Sequence, residues 1–138
     1  ILTYNTTREV GRNMKTIIQA KNAPKPVGPY SQAVKVGNFL FVSGQLAIDP
    51  KQGKIVAQDI TGQTRQVIEN IKAILETANY GLKDIVQTNV YLSTMMLFKE
   101  FNLEYTRHFD KEFPARGTIG VELMPNALVE ISVIACKE

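Results

Sequence analysis

Two ionisable side chains, Arg116 and Glu130, stand where a charge has to be explained. Arg116 lies in Phe113-Pro114-Ala115-Arg116-Gly117-Thr118. Pro114 fixes φ and forbids a helix through this point. Ile119 and Val121 then begin an extended run, so Arg116 sits at the mouth of a strand. After a turn at Met124-Pro125-Asn126, a second strand reads Ala127 to Cys136, and Glu130 is its one carboxylate. A lone charge in a largely apolar strand is costly unless it is paired, neutralised or used. One arginine and one carboxylate, on what read as neighbouring strands, are the sharpest chemical feature of the chain.

Other chemistries are poorly supplied. Cys136 is the only cysteine, which rules out an internal disulfide. His108 is the only histidine, so no His/Cys cluster has zinc spacing and a Ser-His-Asp or Cys-His site would have to use a residue in a predicted helix. Neither G-x-x-x-x-G-K nor G-x-G-x-x-G occurs. The net charge of +3 over 138 residues is too balanced to argue for nucleic acid. No apolar run approaches membrane-spanning length. The start of the chain lacks a basic segment followed by an apolar block, so the expected location is the cytoplasm, with an organellar form left open. The remaining candidates are carboxylate, guanidinium, hydroxyl and backbone groups, and neither metal nor cofactor is implied.

The elements that must position these groups follow from periodicity. Residues 1–13 have no clear pattern and read as an N-terminal arm or extension, with a strand over Leu2 to Tyr4 as the alternative; residues 14–138 read as one domain. Thr16 to Ala20 reads as a strand, and Pro24, Pro26 and Pro29 make the next stretch a loop that delivers Tyr30 to a strand start. Ser31 to Val36 and Phe39 to Gln45 read as a hairpin turning at Gly37-Asn38. Period two puts Phe39, Phe41, Ser43 and Gln45 on one face. Ile48 to Lys54 reads as a polar turn. Asp59 can cap a helix carrying Ile60, Thr64, Val67, Ile68, Ile71 and Leu75, which ends near Asn79-Tyr80-Gly81. Ile85 to Leu92 alternates as a strand. Ser93 or Thr94 can cap a second helix with the stripe Leu97-Phe98, Phe101, Tyr105, Phe109, in which the phenylalanines read as core. The order β-β-β-α-β-α-β-β predicts an α+β fold: a single mixed β-sheet with two helices on one face. The other face would expose a large apolar patch, which soluble monomers rarely do. It is expected to pack on further copies of the chain.

From Asn22 onward the chain resembles the RidA/YjgF family of reactive-intermediate enamine/imine deaminases. The resemblance is carried by Ala23-Pro24, Val27-Gly28-Pro29-Tyr30-Ser31-Gln32-Ala33, Phe41-Val42-Ser43-Gly44-Gln45, Asn70 to Leu75, Phe101-Asn102 with Tyr105, Pro114-Ala115-Arg116 and Val129-Glu130-Ile131. It implies a chorismate-mutase-like fold and a homotrimer with a central barrel of sheets and active sites between subunits. It also implies hydrolysis of 2-enamino or 2-imino acids such as 2-aminoacrylate, the activity of a 2-iminobutanoate/2-iminopropanoate deaminase, without a cofactor. By resemblance, Arg116 holds the substrate carboxylate and Glu130 positions the attacking water. Tyr30, Ser43, Asn102 and Thr118 complete the substrate-binding set. Three positions depart from the family pattern: Gly117 stands in place of a serine, threonine or valine, Gly120 of a glutamate and Leu123 of an arginine.

Blander roles compete with each assignment. Arg116 could finish a sheet edge as a structural ion pair, and Glu130 could be an interface salt-bridge partner. Tyr30 could only pack, and Ser43 and Asn102 could merely satisfy backbone. His108 reads as structural or solvent-exposed and Cys136 as a small buried apolar group. Alternative functions are an RNA-binding endoribonuclease or translation inhibitor, and a non-catalytic trimer that binds small carboxylates or acts as a chaperone. RNA binding would want aromatics interleaved with basic residues, and no such run is present.

Overall fold

The computed structural model describes residues 15–138, so the arm expected over residues 1–13 lies outside the described residues. The elements are β1 (Thr16–Ile18), β2 (Ala33–Val36), β3 (Phe39–Gln45), β4 (Ile48–Asp49), β5 (Lys54–Ile55), α1 (Ile60–Thr77), β6 (Ile85–Leu92), α2 (Phe98–Thr106), β7 (Ala115–Gly120) and β8 (Val129–Cys136). Six strands form one sheet in the order β1-β2-β3-β8-β6-β7, and β4 pairs only with β5. All pairings are antiparallel except β6 with β7, which is parallel. Both helices lie on one face, giving the α+β architecture read from the sequence.

Local chemistry sets the boundaries. The Asp59 carboxylate accepts from the Gly62 N–H at 3.1 Å and caps α1. Asn79 takes φ 64° just past its end, the left-handed conformation that stops a helix. Gly37 supplies the positive φ of 57° for the two-residue turn between β2 and β3. Ile71, Ile74 and Leu75 of α1, Phe101 of α2, and Leu40, Val129 and Ile131 of the sheet are all essentially inaccessible to solvent. That is the core, on the helix-covered side.

Several expectations are corrected. Ile48 to Lys54 is not a plain turn but the body of the β4–β5 hairpin, whose Asp49 carboxylate accepts from the Lys51 and Gln52 N–H groups at 2.8 and 3.0 Å. α2 stops at Thr106, and Thr94 caps a separate 3-10 turn at Met95–Leu97 that leads into it. Phe98 is not core: it is exposed and faces Arg116. Cys136 is half-buried, not buried. Gln45 does not share a face with Phe41. The β3–β8 register shifts between Val42 and Gln45, and Gln45 turns inward. Period two is lost across such a bulge.

The strands bearing Arg116 and Glu130 are not neighbours. β7 pairs with β6, and β8 lies on the other side of β6. The physical reason is the connection. A strand–helix–strand crossover through α2 makes β6 and β7 parallel neighbours, and the chain from Val121 to Leu128 then returns to place β8 between β3 and β6.

The second face is uncovered within one chain. Ile17, Val34, Phe41 and Ile134 fall in one cross-strand row, with Phe39 beside Cys136. Phe39 and Phe41 are 46% and 44% exposed, and Ile119 on β7 is 54% exposed.

Candidate active site

Register decides where the two charged groups point. Arg116 lies opposite Thr88, which lies opposite buried Val133, so Arg116 belongs to the helix-covered side of the sheet. Glu130 lies opposite Tyr91, one residue out of phase with buried Val129 and Ile131, and so belongs to the open side. Arg116 and Glu130 of one chain therefore occupy opposite faces. The expected placing of the two on neighbouring strands is corrected, since β6 lies between β7 and β8.

Arg116 heads one group. Its guanidinium carbon lies 4.9 Å from the ring centroid of Tyr105, 5.6 Å from Phe101 and 5.7 Å from Phe98. These residues are on one stripe of α2, and aromatic faces hold a guanidinium by cation–π attraction. The Tyr105 hydroxyl is tied to Thr88 Oγ1 at 2.9 Å. Burial pushes that phenol up, against the lowering pull of the Thr88 bond and the Arg116 charge. Among the described residues no carboxylate pairs with Arg116. Asn102 follows Phe98 by four residues on the same helix, and Thr118 follows Arg116 by two on the same strand face. Asn102 Oδ1 and Thr118 Oγ1 are both buried without a hydrogen-bond partner. Buried polar oxygens normally have a partner, so both keep hydrogen-bonding capacity to spare. Gly117 points to the open face, where a Cβ would meet only Asn89 Oδ1 at 3.9 Å. Gly120 is covered by Met95, whose Cγ would lie 3.1 Å from an added Cβ.

Glu130 heads the other group. It shares a cleft of about 640 Å³ with Tyr30, Ser43, Gly44, Met124 and Pro125. Burial alone pushes its carboxyl above the ordinary range. The Tyr30 hydroxyl accepts from the Val27 N–H at 3.3 Å and its ring stays exposed. The Ser43 hydroxyl donates to the Ser31 carbonyl at 2.5 Å, so it is already committed to backbone. The predicted set thus divides into Arg116, Asn102 and Thr118 on one side and Glu130, Tyr30 and Ser43 on the other.

Three buried amides that hold the cleft walls were missed as functional. Gln32 accepts from the Ala20 N–H at 2.6 Å and donates to the carbonyls of Ala20 and Pro24 at 3.1 and 2.8 Å, fastening the proline loop. Asn70 of α1 donates to the carbonyls of Leu46 and Ile48 at 3.1 and 2.9 Å. Gln63 of α1 donates to the Ala57 and Asn126 carbonyls at 3.0 and 2.8 Å and accepts from the Leu128 N–H at 2.8 Å. The signal was present: Gln63 and Asn70 are polar residues on the apolar stripe of a helix, where an amide must find partners.

His108 takes part in a separate cluster. Its Nε2 lies 2.6 Å from Glu104, which is only 3% exposed and also bonds Arg65 at 2.9 Å. Burial raises the Glu104 carboxyl, but the bonds and charges of His108 and Arg65 outweigh it and hold the group below its ordinary range. Among the described residues no group of three or more His, Cys, Asp or Glu side chains could hold a metal ion, and no helix is long and apolar enough to cross a membrane.

Known proteins resemble this chain over about nine-tenths of its length. A RutC family protein of Pyrococcus horikoshii is 54% identical over 126 residues, 91% of this chain and 100% of its own length. The crystal structure of a member of the conserved Rid protein family from Yersinia pestis superposes with a TM-score of 0.85 at 42% identity, covering 89% of this chain and 99% of its own. E. coli TdcF with bound serine gives a TM-score of 0.85 at 34% identity, covering 90% and 100%. The family model described as Endoribonuclease L-PSP matches residues 20–137. The chain belongs to that family, the RidA/YjgF family.

Proposed function

We propose that this protein hydrolyses reactive 2-enamino and 2-imino acids, such as 2-aminoacrylate, to 2-keto acids and ammonia. It does so as a homotrimer, in which Arg116 of one protomer and Glu130 of the partner subunit face one substrate. The observation that carries this reading is the division of the site. Two half-sites, each chemically incomplete, lie on opposite faces of one sheet, and the open face beside Glu130 carries a row of uncovered apolar side chains. A ring of copies that buried this row would bring the two halves together. Closed rings are built from one repeated contact between unlike patches.

The chemistry follows from the groups present. The Arg116 guanidinium offers two parallel donors to the substrate carboxylate. The unpartnered Asn102 and Thr118 oxygens are buried on the same side of the sheet. The enamine first tautomerises to the imine. Glu130 then takes a proton from water as its oxygen attacks C2 of the C=N bond. It returns that proton to nitrogen, giving the carbinolamine. The carbinolamine hydroxyl then gives up its proton, which the same carboxyl passes to the amine, and the C–N bond breaks to give the keto acid and ammonia. A carboxyl raised by burial suits both halves of this proton transfer near neutral pH. The bound serine of TdcF is a small amino acid in a relative of similar fold, in keeping with a substrate of this size.

The test is direct. The decay of enzymatically generated 2-aminoacrylate to pyruvate is followed with and without protein. Acceleration is expected, lost in Arg116→Ala and strongly reduced in Glu130→Gln. An unchanged rate in Arg116→Ala would remove the assignment. RNA cleavage is the second reading, carried by the family description. It lacks a free imidazole, because His108 is engaged by Glu104.

A further inference from the structure

The carboxyl of Glu130 has no hydrogen-bond or ion-pair partner among the described residues. It lies in the space that a side chain on Gly44 would take. A Cβ built on Gly44 would lie 2.9 Å from Glu130 Cδ and 3.2 Å from both Cγ and Oε1. The three nearest atoms to the absent side chain all belong to this one glutamate. Real Cβ atoms essentially never approach another heavy atom within 3.0 Å, so with alanine here the end of the Glu130 side chain would have to shift. Gly44 is not among the residues at positive φ, so its backbone does not demand glycine. The demand comes from the carboxyl. Gly44 also sits inside the register shift of β3 against β8, between Val42 and Gln45. There Ser43 and Gly44 together face Ser132, and the extra residue re-aims the strand next to the cleft.

We propose that Gly44 is a positioning residue for the reaction: its bare backbone is the seat on which the Glu130 carboxyl lies, holding it aimed into the cleft at the water it activates. The proposal rests on the reading of Glu130 as the proton-handling acid. An alanine at position 44 would claim the space now held by the Glu130 carboxyl and drive it off the strand into the cleft. The acid would then be better hydrated and misplaced by a large fraction of an ångström. Shifts of about 1 Å at a reacting group can cost ~100-fold in rate.

The test uses three variants of the whole chain, Gly44→Ala, Glu130→Asp and their combination, with thermal melts to verify that each is folded. Glutamate labelled at its side-chain carboxyl carbon gives the titration of Glu130 by NMR, assigned by its loss in Glu130→Gln. In Gly44→Ala the Glu130 midpoint is expected to fall toward the ordinary glutamate value. The 2-aminoacrylate decay is expected to slow by about tenfold or more, mainly in kcat. In the Glu130→Asp background the same substitution is expected to cost less in rate than in the Glu130 background, because aspartate lacks the Cδ that would lie 2.9 Å from the added methyl and keeps only the Cγ contact at 3.2 Å; two residues that touch are non-additive in this way. A Glu130 midpoint that stays or rises in folded Gly44→Ala overturns the proposal. So does an equal loss of rate from Gly44→Ala in the Glu130 and Glu130→Asp backgrounds. If instead Glu130→Gln leaves the decay rate untouched, the catalytic reading fails, while the titration still decides the seat.

Discussion

Replacing Arg116 by lysine separates geometry from charge. Arg116 is exposed in the single chain, so its bare Coulomb attraction for an anion is screened and lysine would reproduce most of it. What lysine cannot reproduce is the planar fork. The guanidinium lies against three rings, at 4.9, 5.6 and 5.7 Å, and the nearest is held by Thr88. This platform fixes the plane in which two parallel N–H donors are offered. An ammonium gives one directed donor to a carboxylate and has no preferred plane. Losing one charge-assisted hydrogen bond costs roughly 1.5–3 kcal/mol. At 1.4 kcal/mol per factor of ten, that is about a 10- to 150-fold loss in affinity. Calorimetric titration with pyruvate, the product acid, is the assay, run beside Arg116→Ala and with melting curves. Arg116→Lys is expected to bind pyruvate about 10-fold or more weakly, and Arg116→Ala more weakly still. Pyruvate affinity within about twofold of wild type in Arg116→Lys would refute the reasoning, since the fork and its aromatic support would then contribute nothing.

Further outcomes follow from the same geometry. Asn70→Ala strands the Leu46 and Ile48 carbonyls and is expected to lower unfolding stability by about 1–3 kcal/mol in a urea titration; a neutral result would contradict the clamp. Glu104 has a folded-state pKa below its unfolded value, so its contribution is present above the unfolded value, about 4.3, and is lost as pH falls through the lowered one. Stability measured against pH in Glu104→Gln is therefore expected to fall less steeply on acidification than in wild type. Glu130 has the opposite sign: its pKa is raised, so stability is lost as pH rises from the ordinary carboxylate value through the raised one. Glu130→Gln is expected to melt higher than wild type at pH 8, with a smaller difference at pH 4. A variant that melted lower at pH 8 would show the carboxylate to be stabilising.

Local chemistry made most of the fold legible. Apolar spacing over Ile60 to Leu75 and the cap at Asp59 announced α1, and Gly37-Asn38 announced the hairpin. Pairing between distant strands was not legible, because β6–β7 is set by the crossover through α2 and β6–β8 by the return of the chain from Val121 to Leu128, not by any local preference. That is why Arg116 and Glu130 read as lying on neighbouring strands. The bulge at Ser43-Gly44 was equally silent: period-two reading has no means to insert an extra residue, so Gln45 was placed on the wrong face. The residue types of the candidate site were visible, since a charge in an apolar strand announces itself. Their division between two faces was not, because the face of Arg116 depends on its register with Thr88. Phe98 read as core by spacing, yet it serves as part of the platform under Arg116.

The central claim is that one catalytic unit takes its guanidinium from one chain and its carboxylate from another. Mixing and co-refolding Arg116→Ala with Glu130→Gln tests it. Each variant alone lacks one half of every site. In a closed ring assembled at random from equal amounts, about one contact in four joins an intact Arg116 to an intact Glu130. The account predicts that the mixture recovers about a quarter of the wild-type rate of 2-aminoacrylate decay, from one preparation that is inactive and one that is strongly reduced. A mixture no more active than its parents, with exchange of chains verified by mass, would contradict it.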